Sequence, residues 1–265
     1  MLLTSTICPC PVCSVASSQN EQQAAPPRSA WTMQEVPAPS RPSIGDLARE
    51  TELFSLGHRT VAGVDEVGRG ALAGPVCVGM VTVSSKTGLP PPGLRDSKQL
   101  TARARAALVR PILQWADAVG LGASTPREID ELGIVGALAL ATRRALACAP
   151  NLPDAVVLDG NVDFITAAAD RPEVTLPQVA SVKGIEVVCE VKADTHVATV
   201  AAASILAKQW RDAWMLRLAE THPEYGWSSN KGYGSRVHLD ALTGRGPTEH
   251  HRVSWSLPSR GAHPN

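Results

Sequence analysis

Two apolar, β-branched segments separated by a short glycine-rich turn constrain the fold of this chain most strongly. TVAGVD (60–65) and PVCVGMVTVS (75–84) flank the turn, and they predict two neighbouring antiparallel strands. Glycines at 68, 70 and 74 also suggest a dinucleotide-binding loop. That interpretation fails, because a strand follows where a phosphate-binding helix would have to begin.

Strand-like and helix-like segments alternate through the rest of the chain. This alternation predicts an α/β architecture with an antiparallel start, and the 44% apolar content is enough to build its core. We expect Pro111 to kink or divide the first long helix, and Gly133 to weaken the second, which Thr125 and Pro126 begin. The predicted helices cover 101–116, 125–149, 195–222 and 235–242, and the further strands cover 117–124, 154–160 and 185–192.

The N-terminal 42 residues differ in composition from the remainder. They hold seven of the 21 prolines and only four charged residues, a composition that buries too little apolar surface to offset the entropy of ordering. We therefore predict a disordered tail at 1–42 and one folded domain at 43–265. Cys8, Cys10 and Cys13 lie close together in the tail, but no fourth Cys or His lies nearby to complete a zinc site.

Charge and hydropathy limit the partners and the compartment. Lys plus Arg (25) equal Asp plus Glu (25), so a nucleic acid would have to be held by a local basic patch. No apolar run approaches the ~20 residues that span a bilayer, and a secretory signal is lacking. Cys77, Cys148 and Cys189 lie in apolar runs, like small core residues. We expect a cytoplasmic monomer that does not bind membranes.

Four carboxylates lie at strand ends or before a helix. They are Asp65, Glu66, Asp159 and Asp194. Oxygen ligands without His or Cys favour Mg²⁺ or Mn²⁺, and such a cluster can hold two ions about 4 Å apart, an arrangement suited to phosphodiester hydrolysis. Because consecutive strand residues point to opposite faces, Asp65 and Glu66 can share a site only if the strand ends or twists there.

Each of these residues also has a structural interpretation. Asp159 could belong to an ordinary turn after a strand, and Asp194 with Thr195 could cap the following helix. Asp65 and Glu66 could be a solvated pair. The histidines at 250 and 251 fit a surface or structural role better than a catalytic one.

Taken in order, several motifs closely resemble the bacterial ribonuclease HII family. They span residues 60–257 and read VAGVDEVGRGALAGPV, LRDSKQL, EIDELGI, VVLDGN, VKADTHVATVAAASILAKQWRD, HPEYGWSSNKGYGS and GPTEHHRVSW. The resemblance implies a ribonuclease H-like mixed sheet flanked by helices, with a helical C-terminal segment. It also implies a metal-dependent endoribonuclease that cuts RNA–DNA hybrids, and duplex DNA 5′ to single ribonucleotides, leaving 3′-hydroxyl and 5′-phosphate ends.

The resemblance also assigns roles to individual residues. It implies that a Gly-Arg-Gly turn (Gly68, Arg69 and Gly70) reads the ribonucleotide 2′-hydroxyl, and that Tyr233 packs against the sugar of the next nucleotide. The 2′-hydroxyl is the group by which a protein can tell RNA from DNA. The four carboxylates would coordinate two catalytic Mg²⁺ or Mn²⁺ ions: Asp65, Glu66, Asp159 and Asp194.

Some residues depart from the family pattern without removing an expected ligand: Gln99, Ala193, Ser235 and Trp255. Five basic residues could form the local phosphate-binding patch: Lys183, Lys192, Lys231, Arg236 and Arg252. Tyr225 is the second candidate for the sugar contact. A nuclease acting on DNA junctions or damaged DNA, and an inactive hybrid-binding module, are the alternative functions.

Overall fold

The computed structural model of the protein describes residues 44–167, 171–176, 179 and 181–258. The predicted tail and its cysteine cluster lie outside these residues. The strands are β1 (Thr60–Val67), β2 (Val76–Ser84), β3 (Ala118–Ser124), β4 (Ala155–Asp159) and β5 (Glu186–Glu190). The helices are α1 (Ala48–Ser55), α2 (Ala102–Trp115), α3 (Pro126–Leu146), α4 (Ala198–Thr221), α5 (Trp227–Asn230) and α6 (Arg236–Arg245).

The five strands form one mixed sheet in the order β3-β2-β1-β4-β5. β2 is antiparallel to both β1 and β3, whereas β1, β4 and β5 are parallel. In this register Asp65 of β1 lies opposite Gly79 of β2. The predicted α/β class, the mixed sheet and the antiparallel start are confirmed.

Helices cover both faces of the sheet. α4 packs on the face that includes Gly63 and Gly79, where added Cβ atoms would lie 2.2 Å from the Val200 nitrogen and 2.3 Å from the Ala203 oxygen. α3 packs on the opposite face, where a Cβ at Gly122 would lie 1.9 Å from the Ala141 oxygen. Only glycine permits contact this close, so the helix backbones lie directly against the strands.

Of the first two long helices, α3 was predicted more accurately from the sequence than α2. Thr125 and Glu128 form a capping box at the start of α3, and Gly133 interrupts its helical dihedral angles with φ 71°, as expected. We expected Pro111 to kink or divide the first helix, and a division is wrong, because α2 runs through Pro111 as one element. Leu108 and Ile112 of α2 are buried in the core, and this packing outweighs the hydrogen bond that proline removes.

Helix α1, which we did not predict, provides a buried carboxylate that contacts the first turn of α4. Glu50 is fully buried, and its Oε1 accepts hydrogen bonds from the Thr199 nitrogen at 2.9 Å and the Thr199 hydroxyl at 2.8 Å. No side chain of its own caps the N-terminus of α4, where Val197 is the N-cap residue. Glu50 therefore satisfies a donor at this N-terminus from a distant part of the chain.

The three cysteines of the described residues follow the core prediction only in part. Cys77 is buried and Cys148 is half-buried, but Cys189 is exposed on the edge strand β5. Within the described part of the chain, no helix is both long and apolar enough to cross a membrane.

Candidate active site

Three of the predicted carboxylates come together on the α4 face of the sheet. Asp65 lies on β1, Asp159 ends the neighbouring parallel strand β4, and Asp194 lies in a 3-10 turn before α4. Each offers an oxygen, and these oxygens lie within 4.8 Å of one another. The Ala193 nitrogen donates to Asp159 Oδ1 at 2.8 Å, which ties the turn carrying Asp194 to the end of β4.

Burial and mutual repulsion make this cluster electrostatically unfavourable. Asp65 is only 4% exposed. Burial raises its pKa to about 8, with further contributions from the neighbouring carboxylates, while a hydrogen bond from Ser204 opposes the rise. Burial also raises the pKa of Asp194, although Lys98 opposes it, with its Nζ 3.0 Å from Asp194 Oδ2. Lys98 does not contact the other two aspartates in any described ion pair.

These residues fit a hard divalent cation. The cluster of Asp65, Asp159 and Asp194 supplies carboxylate oxygens alone, which Mg²⁺ and Mn²⁺ prefer, and contains no His or Cys among its members. A cation at this point would offset the burial and the repulsion that together raise the pKa of Asp65. The arrangement supports divalent metal binding without distinguishing between the two ions.

Glu66 lies outside this three-carboxylate cluster. It follows Asp65 within β1, so its side chain leaves the opposite face of the strand, because the strand continues to Val67. Its carboxylate pairs with Arg69 at 3.3 Å. Burial raises the pKa of Glu66, Arg69 opposes the rise, and Asp159 adds to it, so Glu66 lies within electrostatic range of the cluster. Its role as a metal ligand stays a prediction.

Two buried arginines support the Gly-Arg-Gly turn from behind. Arg252 donates to the Gly68 carbonyl at 2.6 Å and to the Arg69 carbonyl at 2.7 Å. Gly68 has φ 88°, and a Cβ there would lie 2.0 Å from Arg211 Nε. Gly70 is exposed, and a Cβ there would meet nothing within 4 Å. The turn is fixed on its inner side and open on its outer side.

Tyr233 lies beside this turn. Its side chain is 40% exposed, and the Arg211 guanidinium carbon is 5.5 Å from its ring centroid. The Leu72 nitrogen donates to the Gly232 carbonyl at 2.8 Å, which joins the Tyr233 segment to the residues after the turn. Arg211 thus contacts both Gly68 and Tyr233, so the two predicted substrate-binding elements share one support.

Two further assignments are wrong. Arg252 cannot belong to a phosphate-binding patch, because it is fully buried and its guanidinium donates to the backbone carbonyls of residues 68, 69 and 74. Tyr225 cannot be an alternative sugar contact, because it is 2% exposed and its hydroxyl donates to the Gly246 carbonyl at 2.7 Å. Lys183, Lys192 and Arg236 are exposed, as a phosphate-binding patch requires, and Lys231 is half-buried.

The structure also decides two of the structural interpretations. Asp194 does not cap α4, since that helix begins at Ala198 and Glu50 bonds its first turn. His251 is 1% exposed and hydrogen-bonds His238, so its structural role is confirmed.

Two departures from the family pattern keep local roles. Ser235 caps α6 by accepting from the His238 nitrogen at 3.3 Å. The Trp255 ring packs 4.8 Å from the Arg252 guanidinium carbon.

Sequence reasoning missed the residues that support the cluster. Lys98 pairs with Asp194, and the Ser97 hydroxyl lies 2.8 Å from the Ser204 hydroxyl, which in turn bonds Asp65. The LRDSKQL motif contained a signal for Lys98, but nothing local to Ser204 in the middle of an alanine-rich helix indicates that it bonds a carboxylate.

Comparisons with known proteins agree with this geometry. A family model described as Ribonuclease HII matches residues 62–257. A relative named Ribonuclease HII from Streptomyces avermitilis is 44% identical over 202 residues, which cover 76% of this chain and 78% of the relative. The ribonuclease H2 structure from Pyrococcus horikoshii OT3 is similar with TM-score 0.58 and 28% identity, over 74% of this chain and 94% of that one. Ribonuclease HII in its PCNA complex from Archaeoglobus fulgidus gives TM-score 0.56 and 26% identity, over 76% and 97% of the two chains.

Proposed function

Because the chain belongs to the ribonuclease HII family, we propose that it incises duplex DNA 5′ to single embedded ribonucleotides, as well as hydrolysing the RNA strand of RNA–DNA hybrids. Membership makes it an endoribonuclease of the ribonuclease H type, in a family that depends on divalent metals. The proposed products carry 3′-hydroxyl and 5′-phosphate ends. The proposed cellular role is removal of ribonucleotides during DNA replication and repair, carried out by a cytoplasmic monomer.

The convergence of Asp65, Asp159 and Asp194 beside an open Gly-Arg-Gly turn carries this proposal. When bound there, divalent cations, Mg²⁺ or Mn²⁺, supply the activated water and the charge stabilisation that phosphodiester hydrolysis requires. We assign Glu66 as the fourth ligand. Ser204 holds Asp65 in place through its hydrogen bond, and Lys98 does the same for Asp194.

Substrate choice is divided between two neighbouring elements in this proposal. The exposed backbone at Gly70 leaves room for a ribose to approach, where its 2′-hydroxyl can be read. Tyr233 presents a partly exposed ring against which the next sugar can pack. Arg69 is exposed, although its side chain pairs with Glu66, and it contributes positive charge beside the carboxylates.

The test is cleavage of a DNA duplex that contains one ribonucleotide, with Mg²⁺, Mn²⁺ or EDTA. We expect metal-dependent incision, and a loss of about a hundredfold or more in kcat/KM for Asp65→Asn and Asp159→Asn, since each removes a charge that holds the metal. Glu131→Gln, on the exposed side of α3, is the matched control that should keep full activity. Near-parent turnover of either aspartate variant in saturating Mg²⁺ would refute the site.

A further inference from the structure

A chain of buried histidines lies directly behind the Tyr233 segment. The Thr248 nitrogen donates to His251 Nδ1 at 2.9 Å. His251 Nε2 lies 3.0 Å from His238 Nε2, and His238 Nδ1 lies 2.9 Å from the Tyr233 carbonyl oxygen. Trp227 Nε1 donates to the same His238 Nε2 at 3.2 Å. The Thr248 hydroxyl also lies 3.0 Å from His251 Nδ1, and both imidazoles are buried.

These contacts determine where each proton lies. Since a backbone N–H can only donate, His251 Nδ1 accepts, and His251 is protonated on Nε2. That N–H must donate to His238 Nε2, which also accepts from Trp227 and therefore carries no proton. His238 is then protonated on Nδ1 and donates to the Tyr233 carbonyl. Along this chain each donor points towards Tyr233: Thr248 donates to His251, His251 to His238, and His238 to the Tyr233 carbonyl.

The surroundings of the pair keep both rings neutral. Burial lowers the pKa of His251 to about 4, with His238, His250 and His222 adding to the effect. Burial also lowers the pKa of His238. Tyr225 and Trp227 pack against the rings, and the carboxylate of Glu249 acts on His250. A second proton on either ring would place two donors against each other.

The segment that contains His251 also holds the Gly-Arg-Gly turn, the other proposed substrate-binding element. His251 connects to the Tyr233 segment, and the next residue, Arg252, donates to the carbonyls of Gly68 and Arg69. One stretch of backbone therefore sets the separation between the Gly-Arg-Gly turn and Tyr233. That separation must match the distance between a ribose and the following sugar.

We propose that His238 and His251 are positioning residues for substrate discrimination, which fix Tyr233 relative to the Gly-Arg-Gly turn through the Thr248–His251–His238–Tyr233 chain of hydrogen bonds. The inference rests on the proposed function and extends it to residues without substrate contact. A duplex with one ribonucleotide depends on both elements at once. A continuous RNA strand offers 2′-hydroxyls at every position and depends less on the exact place of Tyr233.

Two substitutions of His238 separate positioning from stability. In His238→Asn the amide nitrogen, attached to Cγ as Nδ1 is, still donates to the Tyr233 carbonyl, but the donors of Trp227 and His251 lose their acceptor. In His238→Gln the amide reaches the Nε2 position and accepts from them, but the donor to Tyr233 is lost. Both variants interrupt the chain, so both should discriminate less well than the parent, whereas the Asn variant, with two buried donors left unpaired, should be less stable than the Gln variant.

The measurements are melting temperature and kcat/KM on a duplex with one ribonucleotide and on a duplex with a continuous RNA strand. For His238→Gln we expect a fall of roughly two- to tenfold on the single-ribonucleotide duplex, the effect of one lost hydrogen bond, and little change on the continuous strand. Activity that falls with melting temperature, equally on both duplexes, would show that the histidines only stabilise the fold.

Imidazole ¹⁵N NMR of the parent protein at pH 7 tests the chain even if a variant fails to fold. We expect neutral rings, with His251 protonated on Nε2 and His238 on Nδ1. A proton on His238 Nε2, or a charged ring, would refute the chain. A parent protein that does not cut the single-ribonucleotide duplex would refute the proposed function and the discriminating role with it, whereas wrong tautomers in an active parent would refute the chain alone.

Discussion

Replacing Glu50 tests whether a residue outside the matched family region stabilises the helix that supports the active site. Helix α1 precedes residues 62–257, yet Glu50 Oε1 bonds both the nitrogen and the hydroxyl of Thr199 in the first turn of α4. The other oxygen, Oε2, is buried with no hydrogen-bond partner. Glu50→Ala removes two hydrogen bonds, and Glu50→Gln keeps an acceptor in the same place.

The two substitutions should differ in their effect on the free energy of unfolding. Hydrogen bonds to a charged acceptor contribute about 1.5 to 3 kcal/mol each, and the unpaired oxygen offsets part of that sum through its desolvation. We expect Glu50→Ala to lower the free energy of unfolding by about 3 kcal/mol. Glu50→Gln should change it by about 1 kcal/mol or less, since the lost attraction to the helix dipole and the relieved desolvation oppose each other.

Urea unfolding followed by circular dichroism measures the change in the free energy of unfolding for both variants. Repeating it at several pH values tests the sign of the contribution from the ionised carboxylate. Burial raises the pKa of Glu50, so the folded state favours the protonated carboxyl, and ionisation removes stability as the pH rises through the folded pKa. The stability of the Gln variant relative to the parent should therefore increase between pH 4 and pH 7. The Thr199→Val variant loses the hydroxyl donor alone, so its free energy of unfolding should lie between those of Glu50→Ala and Glu50→Gln. An Ala variant within about 1 kcal/mol of the parent would refute the capping role.

Further expectations concern the chain ends, the substrate contacts and acid stability. Deleting residues 1–42 should leave the melting temperature unchanged, because their composition offers little to pack, whereas deleting 1–55 should lower it, because α1 is lost. Tyr233→Ala should reduce kcat/KM on a single-ribonucleotide duplex roughly five- to hundredfold, as loss of a stacking contact does. Gly70→Val should reduce it on every RNA-containing duplex at an unchanged melting temperature, since the folded chain has room for the side chain. Because burial lowers the pKa of His251 to about 4, the parent should lose about 2 kcal/mol more stability between pH 7 and 5 than His251→Gln does, by urea unfolding.

Features set by short-range chemistry could be predicted from the sequence. The capping box of Thr125 and Glu128 and the break at Gly133 in α3 depend on residues close to them in the chain. The strands followed from apolar β-branched runs, and the order of motifs indicated the family. Asp65, Asp159 and Asp194 could be expected to meet, because ends of neighbouring strands converge.

Features set by long-range packing could not be predicted in this way. The contact between Glu50 and Thr199 joins residues 149 positions apart. Arg252 was assigned to the phosphate-binding patch for its positive charge, and only the folded chain shows that it binds the carbonyls of the Gly-Arg-Gly turn. A kink or division of α2 at Pro111 was expected from backbone chemistry alone, without the burial of Ile112 that keeps the helix in one piece.

The direct contact between α4 and the sheet should leave a record in evolution. Gly63 and Gly79 lie against the backbone of Val200 and Ala203, and the next residue along the helix, Ser204, bonds Asp65 of the carboxylate cluster. A side chain added at either glycine would push the helix outward and separate Ser204 from Asp65. Substitutions at 63 or 79 should therefore appear among homologues only together with changes at 200 to 204, so these positions should covary although all of them are buried.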